Sequence, residues 1–362
     1  MSSKVDSDND RMTPIPTIGA TGNPLWSISR RMLTAAGPLV ALLLVVAFFA
    51  VADAMQGGVG NFVSVGSVRL VGVQSVKVAI AALGMTLIII AGGIDLSAGT
   101  AAALSGCVAA YALGQGLSIQ AAIATAVLTG ALCGLLNGML ISFLKLVPFI
   151  ITLGTMTIFL GIGKTIAEDG GTIRPPTGSI PEWMDRMVTQ FPDPLWILEP
   201  VLPNFGWGVW LVLSLAMIVA LLLYQTVFGR HIFAIGSSEP TARLCGVAVT
   251  RTKLAIYTLA GAFIGLAGVV DLARLGKGDA TAGLGLELEI IAAVVIGGGS
   301  LAGGRGSVFG TLCGVLIVRV INQGSTALGL ENQIENILLG VIIITAVAVD
   351  RLRQKHLTTA TV

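Results

Sequence analysis

The feature that most constrains this chain is the succession of apolar runs that starts near residue 34 and continues almost to the end. A helix needs about 20 apolar residues to cross the hydrocarbon of a bilayer. Such runs lie at 34–53, 72–91, 98–114, 118–142, 148–166, 207–227, 254–273, 287–299, 306–324 and 332–350. They predict an all-α integral membrane protein of about ten transmembrane helices, some short or broken at Gly-rich segments. The run at 287–299 is too short to cross alone unless the glycines after it stay at membrane depth. Non-helical backbone persists there only where protein or a water-filled cavity surrounds it. Composition points the same way: 54% of residues are hydrophobic and 11% charged, against about 25% charged in an ordinary soluble domain. That balance excludes a disordered chain and argues against a soluble enzyme. A net charge of +2 gives no case for a nucleic-acid partner.

The polar residues fall between and beyond these runs. Residues 1–31 read as a flexible tail and 351–362 as a second tail, flanking a membrane domain over 32–350. The first apolar run begins too late for a signal peptide, and no small-residue cleavage site follows it. With the N-terminus inside, ten spans return the C-terminus inside too, and 13 of the 21 basic residues then fall on inner segments. This agrees with the positive-inside rule and predicts both termini cytoplasmic. The long loop at 167–206 is then external, acidic and proline-rich, with Trp183 and Trp196. A loop of this length is usually functional or structured, and its tryptophans equally suit interfacial anchors.

Motifs for chemistry are absent. Cys107, Cys133, Cys245 and Cys313 form no CxxC pair, and His231 and His356 lie in separate polar stretches. No metal site and no catalytic residue is expected. Gly163-Lys164-Thr165 ends like a phosphate-binding loop, but Ile158 stands where the first glycine belongs. Gly298-Gly299-Ser300-Leu301-Ala302 misses the final glycine of a nucleophile elbow and lacks a nearby histidine.

Glycine spacing carries more. Gly130, Gly134 and Gly138 share one helix face, and so do Gly306, Gly310 and Gly314. Both faces allow close approach of another backbone, within the chain or in a dimer. Two Gly-rich segments interrupt the spans, one with Gly92 and Gly93, the other with Gly297, Gly298, Gly299, Gly303 and Gly304. Asp95, in the first, is a charge close to hydrocarbon and a functional candidate by default. It or Ser97 could equally cap the next helix, as Ser307 could cap the helix after the second break. In the loop 228–253, Ser237 or Ser238 can cap a short helix with Glu239 and Pro240 in its first turn, which Gly246 ends. Leu244 and Cys245 give that helix an apolar edge. It suits a docking knob for a cytoplasmic partner or a helix lying among headgroups.

At these segments the chain resembles the permease subunits of bacterial ABC sugar importers, the ribose, xylose, arabinose and galactose class. The resemblance rests on Gly84-Met85-Thr86 running into Gly92-Gly93-Ile94-Asp95-Leu96-Ser97, on Pro148 to Thr155, on Gly236 to Gly246 and on Gly297 to Gly306, and it spans roughly 70–350. It implies a ten-span permease in the bacterial cytoplasmic membrane, with both ends cytoplasmic. It implies as partners a second permease copy or paralogue, ABC ATPase subunits that hold ATP and Mg, and a soluble substrate-binding protein outside. This chain would bind no cofactor itself. The loop 228–253 would be the coupling loop, with Ser238, Glu239, Ala242, Arg243 and Gly246 in the ATPase-coupling segment. Two departures stand out: Pro240 replaces an ordinary helix former, and the loop 167–206 is longer than the family suggests.

A neutral sugar requires hydrogen-bonding groups and no ion pair. Thr86, Asp95, Asn137, Thr152, Thr155 and Asn322 are the polar candidates for a translocation path, though each can instead bond a neighbouring helix. The rival readings are an ion-coupled carrier, which would place charge at mid-membrane, and a related ABC permease for a branched-chain amino acid, a nucleoside or a furanose signal. Asp271, Glu289 and Arg319 are the charges a carrier would use, and they can also pair.

Overall fold

The computed structural model describes residues 24–55, 62–167, 171–188 and 206–330, with separate positions between 334 and 348. The chain divides into residues 1–36 and 37–362. The first unit contributes the beginning of one helix, and everything below concerns the second.

The helices, in chain order, are α1 (Pro24–Met55), α2 (Val65–Ile90), α3 (Ala98–Gly114), α4 (Ile119–Leu144), α5 (Pro148–Ile166), α6 (Glu182–Val188), α7 (Trp207–Gln225), α8 (Val227–Ser237), α9 (Glu239–Leu244), α10 (Val249–Leu275), α11 (Leu286–Ile296) and α12 (Val308–Ala327). Two short strands, β1 (Thr172–Ile173) and β2 (Gly278–Asp279), pair antiparallel. Among the described residues, seven helices are long and apolar enough to cross a membrane, α1 through its Gly37–Met55 part. The span expected to be short is so: α11 has 11 residues, and α3, with 17, is the next shortest of the expected spans among the described residues. At 1.5 Å per residue α11 reaches about 16 Å, half the hydrocarbon thickness. The run expected at 332–350 lies largely outside the described residues. The tail expected at 1–31 lies largely outside the described residues, and α1 begins at Pro24.

Burial sorts the helices. In α2, 83% of the most apolar stretch is buried, against 22% in α5 and 11% in Gly37–Met55. Thus α2 is the centre, packed by α10, α11, α12 and α7, while Gly37–Met55 and α5 leave most of their surface open. Small residues let the backbones close in. A methyl added at Gly134 would overlap the Tyr257 carbonyl oxygen, and one at Gly261 would overlap that of Gly130. Gly310 and Gly314 bear in the same way on the carbonyls of Gly297 and Ala293. Both glycine faces are therefore used inside the chain, at the α4–α10 and α11–α12 crossings.

Two ion pairs lie inside the bundle: Lys77 of α2 with Asp271 of α10, and Arg319 of α12 with Glu289 of α11. The Lys77 ammonium also donates to the Ala282 carbonyl at 3.2 Å. The charges singled out in the sequence are thus paired, and Lys77 was the partner the sequence reading missed.

Loop sidedness follows from contacts. Gly304 N–H donates to the Ile90 carbonyl at 2.8 Å, and a methyl at Gly236 would overlap that same oxygen. The break after α2, the end of α8 and the break after α11 therefore meet at one end of the bundle, as an alternating count of spans requires. In the loop 167–206, the described part forms β1 and α6. Trp183 packs 5.9 Å from Trp207 and its carbonyl accepts from the Trp207 indole at 2.8 Å. Trp196 lies outside the described residues.

Candidate translocation and coupling site

Two structures stand at this end of the bundle. The first is a buried polar cluster where α2 gives way to α3. Asp95, Ser97, Asn137, Thr152 and Thr155 are each at most 2% exposed. The Ser97 N–H and hydroxyl donate to Asp95 Oδ1 at 2.8 and 2.6 Å. Asn137, from α4, donates to the Ser97 hydroxyl at 2.8 Å and to the Asp95 carboxylate at 3.4 Å. Thr155, from α5, donates to Asn137 Oδ1 at 2.7 Å, and Thr152 donates to the Ile94 carbonyl at 3.3 Å. Several donors on one carboxylate offset the cost of taking it out of water. No cation pairs with Asp95 among the described residues.

This corrects the capping expectation. Ser97 is the N-cap residue of α3, but it makes no side-chain cap bond. Its hydroxyl, and the Asp95 carboxylate, are committed to the cluster instead. Ser307 does cap α12, accepting from Gly310 N–H at 2.9 Å.

Of the six path candidates, four converge here: Asp95, Asn137, Thr152 and Thr155. The other two lie elsewhere. Thr86 donates to the Ala82 carbonyl at 2.7 Å and shares a 2.8 Å hydroxyl contact with Thr311. With its proton on Ala82, Thr86 accepts from Thr311, which ties α2 to α12. Asn322 is buried on α12, and its Oδ1 has no partner among the described residues. Sequence reading missed Thr311, whose signal was a hydroxyl inside an otherwise apolar run.

The seven break glycines serve two purposes. Gly92, Gly298, Gly303 and Gly304 have positive φ between 72° and 93°, a region that penalises side chains. Gly93, Gly297 and Gly299 are not in that region, and close contact excludes side chains there: a methyl at Gly93 would stand 2.5 Å from the Tyr257 hydroxyl. Gly236, absent from the sequence list, joins the two breaks, because a methyl on Gly303 would lie 2.6 Å from the Gly236 carbonyl.

The second structure is α9. Ser238 caps it by accepting from Thr241 N–H, and Gly246 follows it at φ +84°. Pro240 fits because it falls in the first turn, where no N–H is needed. Glu239 binds Arg243 at 3.0 Å and Lys253 at 2.6 Å. The Lys253 hydrogen bond first, then the charges of Lys253 and Arg243, outweigh partial burial and hold the Glu239 carboxyl below its ordinary value. Ala242 is buried against Ile235 and Val249, so it anchors α9 to the body. The outward surface belongs to Pro240, Thr241, Arg243 and above all Leu244, which is 89% exposed. Ser238, Glu239 and Ala242 therefore build the knob, and Leu244 and Arg243 present it.

A multi-span bundle with broken helices, a buried polar seam and a protruding capped helix suits a membrane transport subunit. The sequence comparison agrees: residues 68–347 match the family of permease components of branched-chain amino acid transport systems, and the chain belongs to that family. It is 42% identical to the ribose import permease of Bacillus subtilis strain 168 over 278 residues, 75% of this chain and 80% of that one. It is 35% identical to the ribose import permease of Escherichia coli K12 over 317 residues, 87% and 93% of the two chains. The fructose import permease of Rhizobium meliloti is 36% identical over 322 residues, 89% and 86%. No solved structure matches.

Proposed function

We propose that this chain is the membrane-spanning permease subunit of an ATP-binding-cassette importer that translocates a monosaccharide, a pentose or hexose such as ribose. The observation that carries this reading is the cluster of Asp95, Ser97, Asn137, Thr152 and Thr155. It joins the helix break at 91–97 to α4 and α5 through hydroxyl, amide and carboxylate side chains and the Ile94 carbonyl. The hydroxyls and the amide both donate and accept, as sugar hydroxyls do, and the carboxylate accepts. In the closed arrangement they satisfy one another. Parting α5 from the break would turn the same groups toward a solute. The relatives named for ribose and fructose support the sugar assignment.

In this reading an ABC ATPase subunit docks on α9, and a soluble binding protein delivers the sugar at the opposite end. The chain acts as one half of a permease pair in the cytoplasmic membrane, with both termini cytoplasmic. ATP and Mg are held by the ATPase, and this chain supplies no catalytic group. Movement of α9 passes through α8 to Gly236, which touches both breaks. The test is Leu244→Glu in the assembled complex. It alters only the exposed tip of α9, so the isolated subunit should unfold as wild type does while the ATPase no longer co-purifies and uptake is lost. Retained co-purification and uptake would refute docking at α9.

A further inference from the structure

Beside α9, the turn between α4 and α5 and the first turn of α10 enclose a cleft of about 330 Å³. Lys145, Arg243 and Lys253 line it, against a single carboxylate, Glu239. Glu239 is shared between Lys253 and Arg243, so the cleft keeps a surplus of two positive charges. Lys145 has no ion pair among the described residues.

The backbone adds to this field. Pro148 opens α5 and Val249 opens α10, and both line the cleft. Neither helix has a side-chain cap: the N-cap residues are Val147 and Ala248. The positive ends of two long helices therefore border one space. The C-terminal carbonyls of α4 oppose them, and Lys145 stands at that end. Ser142, also in the lining, has a buried hydroxyl with no hydrogen-bond partner among the described residues. Lys145 itself is held at φ +54°, the only non-glycine residue with positive φ among those described. Strained backbone of this kind persists where surrounding structure demands it.

Beside the cations the surface turns apolar. Leu144, Leu146, Val147, Phe149 and Ile150 are exposed, at the point where two spans enter and leave the hydrocarbon. A free phosphate has no use for such a flank, and a phospholipid does. We propose that this cleft binds the phosphate of an anionic phospholipid headgroup, with an acyl chain along Leu146, Phe149 and Ile150. Basic pockets between spans hold lipid phosphates by this combination. A phosphate seated there competes with Glu239 for Arg243 and Lys253, and so ties the seating of α9 to the lipid. The proposal stands on the cleft and does not need a partner on α9.

The test uses the purified full chain in a neutral maltoside detergent, with thermal unfolding followed during titration. The probes are dihexanoyl-phosphatidylglycerol, dihexanoyl-phosphatidylcholine and inorganic phosphate. Bound ligand raises the unfolding midpoint by mass action. The phosphatidylglycerol should give a saturable rise, and the other two should not. Lys145→Asn keeps a residue that tolerates positive φ and removes the charge. It should weaken the phosphatidylglycerol effect about fivefold, the ratio for one basic group at an anionic surface, and Lys145→Arg should restore it. If Lys145→Asn does not fold, Thr250→Glu, which sets a negative charge in the lining, should abolish the rise. Equal response to both lipids, or an undiminished response in both Lys145→Asn and Thr250→Glu, would overturn the proposal. Saturation by inorganic phosphate as tight as by phosphatidylglycerol would overturn the lipid assignment in favour of a free anion.

Discussion

Asn137→Ala probes the polar cluster most sharply. Asn137 is fully buried and bonds Ser97 at 2.8 Å, Thr155 at 2.7 Å and Asp95 at 3.4 Å. Hydrogen bonds between membrane helices average about 0.6 kcal/mol each. Three lost partners, with the small cavity that remains, amount to about 2–3 kcal/mol. The surviving bonds limit the damage. Ser97 still donates to Asp95, and Thr155 can donate to the Thr152 carbonyl at 3.3 Å. Thr155→Val removes one of these bonds and should cost about 0.6–1 kcal/mol. The double variant counts their common bond once, so it should fall short of additivity by about 0.6 kcal/mol. The assay is equilibrium unfolding of the purified chain in mixed dodecyl maltoside and sodium dodecyl sulfate micelles. An Asn137→Ala change within about 0.5 kcal/mol of wild type, or strict additivity, would refute the view that this residue ties the 91–97 break to α4 and α5.

Other consequences are as direct. Gly134→Leu should prevent stable folding, because even one methyl would overlap Tyr257, whereas Gly154→Leu, with no atom within 4 Å of its Cβ position, should unfold as wild type does; thermal unfolding distinguishes them. Lys77→Met leaves Asp271 buried and unpaired and should cost about 3–5 kcal/mol, and adding Asp271→Leu should recover most of it in the same micelle assay. The Glu239 carboxyl is held below its ordinary 4.5, so the stability it contributes is present above that value and is lost as pH falls through the lowered one. Protease cleavage within 237–246 should therefore rise in wild type as pH drops below 4.5, and Glu239→Gln should remove that pH dependence.

Much of this architecture is legible in the residues. Length and apolarity alone place α3, α4, α5 and α7 within two residues of their observed bounds, because a bilayer accepts few helix lengths. The glycine triplets announce tight crossings for the same steric reason that produces them. Hidden from the sequence is which polar group meets which. Ser97 and Asp95 look like caps because local spacing favours caps, yet Asn137 lies 40 and 42 positions away from them, and only the packing of α4 against the break brings it near. Lys77 reads as an isolated charge in an apolar run until α10 sets Asp271 beside it. Gly236 shows no spacing pattern at all. Its role comes from three distant backbones arriving at one point.

The central claim is that this chain moves a neutral sugar on energy delivered through α9. It is tested most directly by uptake of labelled ribose into proteoliposomes holding the permease with its ATPase and binding protein. The account requires uptake that depends on ATP and on the binding protein and that ionophores leave unchanged. Uptake without ATP, driven by an ion gradient and abolished when that gradient is collapsed, would contradict it.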